Sequence, residues 1–392
     1  MARIHRYTIR TLRAEIEPVA TSDFTRFLLD WQGVTRDPRP EGVEALAAVI
    51  EQLEGFEAPA VAWESDLLPA RLQDYDPDWL DSLCLSGRVL WARLTPARGG
   101  ATAAPVRSTP IALLTRKNWL LWQGLSDGEH DEPQLSHAAR AMAEFLKSHG
   151  ASFFDDIASG SGLLRSQAEE GLGELVAAGL VNADSFSGLR ALLMPAERKR
   201  RLAARRSRVA RFGLEDAGRW SVIRRTPVAT GDAAIEQIAL ILLRRYGVVF
   251  RKMLTREADW LPPWHALLRV YRRLEAQGTI RGGRFVAGVS GEQYALPDAV
   301  GALRAVRKRD ARGDLVSLSA PDPLSLSGVL TPGPRLPALA GNRVLFRDGV
   351  PVAVHAAGQT DFLVAMEPAA EWSARQVLLH RRVSQAPASR PN

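Results

Sequence analysis

The sequence predicts a mixed α and β protein, with tandem winged-helix domains followed by a small antiparallel β-barrel. Three observations predict it. Three helices closed by a two-stranded hairpin occur at 134–194, and the same order returns at 232–297; this is the winged-helix order, a variant of helix-turn-helix. The repetition implies an array. From Leu315 onward helical periodicity gives way to short β-prone runs separated by Pro and Gly.

Residues 1–32 hold two helical stretches with no strand before them and read as the remnant of a preceding domain. In the first, Leu12, Ile16 and Val19 are spaced by four and three; in the second, Asp23 caps a run through Phe24, Phe27 and Leu28. Residues 33–125 form a winged-helix-like domain: a helix at 43–54, another near 60–73, a third after Pro77, and strands at Arg88–Leu94 and Ile111–Thr115. The intervening Arg98–Pro110, rich in Gly, Ala and Pro, is a loop.

The winged helix at 134–194 has a helix at 135–148, a short helix after Ser152 and a third from Leu163 to Ala178 that Gly179 stops. Its hairpin is Leu180–Asn182 with Leu189–Met194. A basic linker spans 195–231. The winged helix at 232–310 opens with a helix apolar at Ile235, Ile238, Ala239 and Leu242 and continues through Phe250–Arg256. Pro262 and Pro263 start its third helix, Gly278 ends it, and wing strands follow at Arg284–Ala287 and Gln293–Leu296. The β-barrel domain covers 311–385, where Asp348-Gly349 marks a hairpin, and 386–392 is a disordered tail.

Charge locates the function. The net charge is +7, yet residues 37–81 hold twelve acids and two bases, whereas 195–312 hold 26 Arg or Lys against 11 Asp or Glu. Such separation is an electrostatic footprint for a polyanion, with nucleic acid the default partner. On the helix Trp264–Gln277, Leu267, Leu268, Tyr271 and Leu274 form one face and Arg269, Arg272 and Arg273 the other. A basic outer face on a third helix suits phosphate or groove contact. Arg281 and Arg284 flank Gly282-Gly283 before the wing, and Arg245, Arg251 and Lys252 thicken the patch. Arg205 and Arg206 belong to the dense run after Arg198, which gives salt-sensitive affinity. Trp264 and Tyr294 are candidates to stack on bases. The equivalent helix at 163–178 carries Glu169, Glu170 and Glu174, which would repel phosphate, so this copy reads as a spacer or interaction surface.

Several classes are excluded. No G-x-x-x-x-G-K-[ST] phosphate loop is present, so the chain carries no ATPase motor of that type. The single Cys84 excludes an internal disulfide and multi-Cys zinc, and the seven His form no H-E-x-x-H pair, so neither metal nor cofactor is expected. No run approaches ~18 apolar residues, and no signal peptide opens the chain, which points to the cytoplasm and away from membranes.

Several blocks then resemble one family in order: LEGFEAPAVAWESDLLPARL at 53–72, WLDSLCLSGRVLWARL at 79–94, RYGVVFRKML at 245–254, GGRFVAGVSGEQYALP at 282–297 and GNRVLFRDGVPVA at 341–353. Together with Arg3–Trp31 and RSTPIALL at 107–114 they resemble the C-terminal part of Lhr (large helicase-related) superfamily 2 DNA helicases. The resemblance implies a helicase core elsewhere on a longer parent chain, single-stranded or forked DNA as partner, a homo-oligomer, and excision of uracil from DNA. It also implies likeness to AlkZ-type DNA glycosylases, but this chain lacks their Gln-x-Gln and has only Glu292-Gln293.

Uracil excision needs a carboxylate to orient water and a pocket for the base. Asp348 is absorbed by the hairpin turn and Asp322, before Pro323, by a turn cap, which leaves Asp361 and Glu292 as catalytic candidates; Lys252 and Lys308 are the candidates for a Schiff base. Two other readings stand beside this one: a non-catalytic DNA-binding and oligomerisation array, and a winged-helix transcription regulator.

Overall fold

The structure, a computed structural model, describes residues 13, 16–95, 106–126, 133–194, 213–214, 217–224, 231–331 and 335–380. The basic run from Arg198 to Arg211, with Arg205 and Arg206, and the tail at 386–392 lie outside these residues.

In chain order the helices are α1 (Thr21–Trp31), α2 (Val43–Leu53), α3 (Pro77–Leu85), α4 (Trp119–Ser126), α5 (His137–His149) and α6 (Phe154–Gly160). They continue with α7 (Arg165–Ala177), α8 (Phe186–Leu193), α9 (Asp232–Tyr246), α10 (Trp264–Ala276), α11 (Pro297–Lys308) and α12 (Pro368–His380). The strands are β1 (Glu57–Pro59), β2 (Val89–Ala92), β3 (Pro110–Thr115), β4 (Val181–Ala183), β5 (Trp220–Val222) and β6 (Val248–Phe250). The rest are β7 (Arg281–Gly283), β8 (Gln293–Ala295), β9 (Leu315–Ser319), β10 (Arg343–Arg347), β11 (Val350–Ala356) and β12 (Gln359–Phe362). The chain divides into two compact units, one of residues 1–40, 66–73 and 230–392, the other of 41–65 and 74–229.

In the second of these units, β1, β3 and β2 form an antiparallel sheet in that order. Glu54, fully buried, organises its end: it accepts from Thr115 N and Oγ1, from Asn118 Nδ2 at 2.9 Å and from Trp122 Nε1. Helices α5, α6 and α7 stand in the expected positions, and Ser136 caps α5 through Ala139 N. The hairpin does not follow as expected. Residues 189–194 fall largely in α8 instead of a strand, and β4 pairs with β5, some forty residues on. The reason is period: Phe186, Leu189 and Leu193 are buried at spacings of three and four, a helical stripe. The helix expected over 60–73 is likewise cut short, to a turn at Ala60–Ala62 and a π-helical turn at Trp63–Leu67, with Pro69 just beyond.

In the other unit the winged helix runs α9, β6, a 3₁₀ segment Arg251–Arg256, α10, β7 and β8, with the sheet ordered β6-β8-β7. α1 packs on α11, and Phe24 of α1 lies 5.8 Å from the ring of Phe250. Gly247 closes α9 at φ +69° and donates to Leu243 O at 2.7 Å. A Cβ there would stand 2.6 Å from Phe27 Cζ. Gly247→Ala is therefore expected to lower stability by about 1–3 kcal/mol, read as a shift in the urea midpoint.

The wing strand expected at Arg284–Ala287 forms its ladder earlier, at Arg281–Gly283. Gln293 explains the shift. Its buried side chain accepts from Phe285 N and Val286 N, both at 2.8 Å, and donates to Val286 O at 3.1 Å. An amide thus replaces the ladder there, and the other edge of the segment pairs with Val19.

Past α11, β9 to β12 form an antiparallel sheet in the order β12-β11-β10-β9, with α12 packed on it through Ala374, Val377 and Leu378 against Leu345, Val352 and Ala353. Among the described residues this sheet is four-stranded and does not close, so the expected β-barrel is not confirmed. Its strands β9 and β12 lie at opposite edges, and a helix covers one face. Asp348-Gly349 makes the expected hairpin, with φ of 47° and 79°, and the Asp348 carboxylate accepts from Gly313 N at 2.8 Å.

Candidate nucleic-acid interface

Helix α10 has the two faces that its sequence spacing requires. Leu267, Tyr271 and Leu274 are buried; Arg269, Arg272 and Arg273 are exposed. The three arginines differ in electrostatic state. Arg272 is paired with Glu292 at 3.0 Å and Arg273 with Glu236 at 2.5 Å, whereas Arg269 has no ion pair among the described residues. Arg281 on β7 and Arg284 just after it are exposed and likewise have no ion pair among the described residues. The exposed third helix and the segment leading into the wing therefore hold three cations with no ion pair among the described residues. An uncompensated cation contributes its full charge to a passing phosphate, and a paired one must first exchange its partner.

Two residues expected at this interface are elsewhere. Arg245 is fully buried, because on α9 it shares the inward face with Ile238, Ile241 and Leu242; its guanidinium pairs with Glu257. Its neighbour Arg244 is the exposed one. Tyr294 is also fully buried. It sits in the central strand β8, stacked on Tyr271 at 5.2 Å, and burial pushes its phenol up to about 12. It belongs to the core and cannot stack on a base from there.

Arg251 and Lys252 are exposed and border a cavity of about 550 Å³. Trp264, at the start of α10 and half-buried, forms part of its wall, 6.0 Å from the Tyr271 ring. Sequence reasoning missed two further residues of this cavity, Glu257 and Asp259. Their signal was available: they are two of the few carboxylates in the basic zone, and they flank the turn before Pro262-Pro263.

The two carboxylate candidates, Asp361 and Glu292, stand on different elements. Asp361 lies exposed on the edge strand β12, opposite Val354. Glu292 precedes β8 and is engaged by Arg272 and, at 3.8 Å, by Arg13. No hydrogen bond or ion pair links them among the described residues. Asp322, read as a turn cap, does accept from Leu324 N at 2.9 Å, but it also forms a fully buried ion pair with Arg71 at 2.8 Å. Among the described residues no group of three His, Cys, Asp or Glu could hold a metal ion, and no helix is long and apolar enough to cross a membrane. Cys84 is buried, and burial pushes its thiol up to about 12, which removes it as a nucleophile near neutral pH.

A basic third helix followed by a wing defines a winged-helix protein. Two family profiles, each described as a large helicase-related protein winged-helix domain, match residues 19–116 and 229–315. A protein of Mycolicibacterium smegmatis named "Lhr helicase/ probable uracil glycosylase" is 32% identical over 323 residues, 77% of this chain and 20% of that protein. One of Escherichia coli named "Lhr helicase/uracil glycosylase" is 30% identical over 375 residues, 86% of this chain and 24% of that protein. The chain belongs to the Lhr (large helicase-related) family, and it spans between a fifth and a quarter of the length of these relatives.

Proposed function

We propose that this chain is the DNA-binding accessory region of an Lhr-type DNA repair helicase, and that it excises uracil from DNA. The observation that carries the binding half is the set of exposed cations without an ion pair among the described residues, Arg269, Arg281 and Arg284, on the third helix and wing of one winged helix. Its partners in this reading are single-stranded or forked DNA and the helicase core of the parent chain. Binding driven by phosphate is indifferent to sequence and falls steeply with salt, which separates it from a transcription regulator that prefers one duplex sequence.

The excision half rests on the names of the two relatives and on a cavity at the edge of the basic surface. A uracil-release assay on single-stranded DNA tests it. Release by the unaltered chain is expected, and its absence leaves a non-catalytic DNA-binding array as the reading. Asp361→Ala and Glu292→Ala, run in parallel, test the two carboxylates. Either one is catalytic only if its substitution lowers release by at least about a hundredfold, the scale of a lost acid or base.

A further inference from the structure

The cavity beside the basic surface has features that phosphate binding alone does not use. Its walls are the 3₁₀ segment, the Pro262-Pro263 turn, the start of α10 and the wing residue Ser290. At about 550 Å³ it lies within the range of small-molecule sites, roughly 300–1,000 Å³. Arg251 and Lys252 stand at its border, and among the described residues neither has an ion-pair partner. Trp264 supplies an aromatic wall.

Glu257 is the second, independent sign of a ligand. Its side chain is 3% exposed, yet it lines the cavity. Both of its bonds are made by Oε1, which accepts from the Arg245 guanidinium and from Tyr246 Oη at 2.6 Å. Oε2 has no donor among the described residues. A buried ion pair adds little net stability over apolar side chains of the same volume. Stability does not by itself account for a charged floor with one oxygen unused, and an ionised carboxylate is an acceptor only. What fits is a flat ring that presents an N–H edge, with anionic groups on either side of it.

We propose that this cavity takes one unpaired nucleobase of a DNA strand, its ring against Trp264, its N–H edge donating to Glu257 Oε2, and its flanking phosphates on Arg251 and Lys252. The site rests on the DNA-binding reading above and deepens it: the winged helix holds the strand by its phosphates and the cavity samples one base. An unpaired base enters without the cost of opening a duplex, so the site favours single strands.

The test uses the full chain and a single-stranded oligonucleotide carrying one 2-aminopurine, whose fluorescence reports stacking, with anisotropy reporting binding on the same strand. Trp264→Ala removes the aromatic wall. Ser290→Trp, at an exposed wing position, blocks the opening without touching the core. Trp264→Phe keeps an aromatic ring and guards against a loss that comes from misfolding. Binding of the unaltered chain should change the probe fluorescence. Trp264→Ala and Ser290→Trp should each cut that change by about fivefold or more and weaken anisotropy affinity by about fivefold or more, the lower end of what one stacked base contributes, and Trp264→Phe should retain most of both. If the chain binds the strand and the probe responds equally in all four proteins, or in none, the base site is overturned and DNA binding stands. If the unaltered chain does not bind the strand at all, the reading beneath it falls instead.

Discussion

Replacing Arg269, Arg281 and Arg284 together by Ala is expected to weaken DNA binding on the order of a hundredfold near 0.15 M salt and to flatten its salt dependence. The magnitude follows from counterion release. Each neutralised phosphate contributes roughly 0.7–0.9 to the slope of log K against log salt, so three contacts carry a slope of about 2–3. Arg272→Ala with Arg273→Ala is the internal comparison. These guanidiniums already face Glu292 and Glu236, so their removal also releases two carboxylates, and part of any loss reflects that added negative charge. The triple variant should therefore show the larger fall in slope. Affinity within about twofold of the unaltered chain, with an unchanged slope, would place the interface elsewhere. All three positions are exposed, so the fold should survive, and a thermal melt checks that.

The basic helix was legible because its signal is local. A period of 3.6 over Trp264–Gln277 fixes which side chains face out, and the structure places Arg269, Arg272 and Arg273 there. What the sequence could not show is which of them are already neutralised, since Glu236 and Glu292 reach them from other elements. Arg245 and Tyr294 were misassigned for a related reason. Charge and aromaticity are visible in a sequence, but the direction of a side chain depends on register. Arg244 and Arg245 differ by one position on α9, one outward and the other inward to Glu257. The period of 186–193 was open to two readings as well: a short apolar run suits strand or helix until its buried positions are known. The hairpin at Asp348-Gly349 was secure, since few backbones other than a tight turn accept two consecutive positive φ values. Closure of the sheet beyond it depends on edges meeting, which no local pattern encodes.

Asp322 carries this lesson to its largest energetic consequence. The sequence around it, Pro321-Asp322-Pro323, announces a turn, and its carboxylate does accept from Leu324 N. The partner that matters energetically is 251 residues away. Arg71 Nη1 and Nη2 donate to Asp322 Oδ2 and Oδ1 at 2.8 and 3.0 Å, a bidentate pair with side chains 0% and 1% exposed. Arg71 is further held by Leu67 O at 3.0 Å and by Gln32 Oε1 at 2.5 Å, so the guanidinium has little freedom to leave if its carboxylate is removed. Asp322→Ala is accordingly expected to lower stability by about 3–5 kcal/mol, because it strands a buried cation. Arg71→Leu with Asp322→Leu should cost much less than the single change, since removing both charges removes the unpaired one. Urea titrations of the three proteins measure this directly. Should the single variant lose under about 1 kcal/mol, water reaches the site and the pair is not the anchor its geometry indicates.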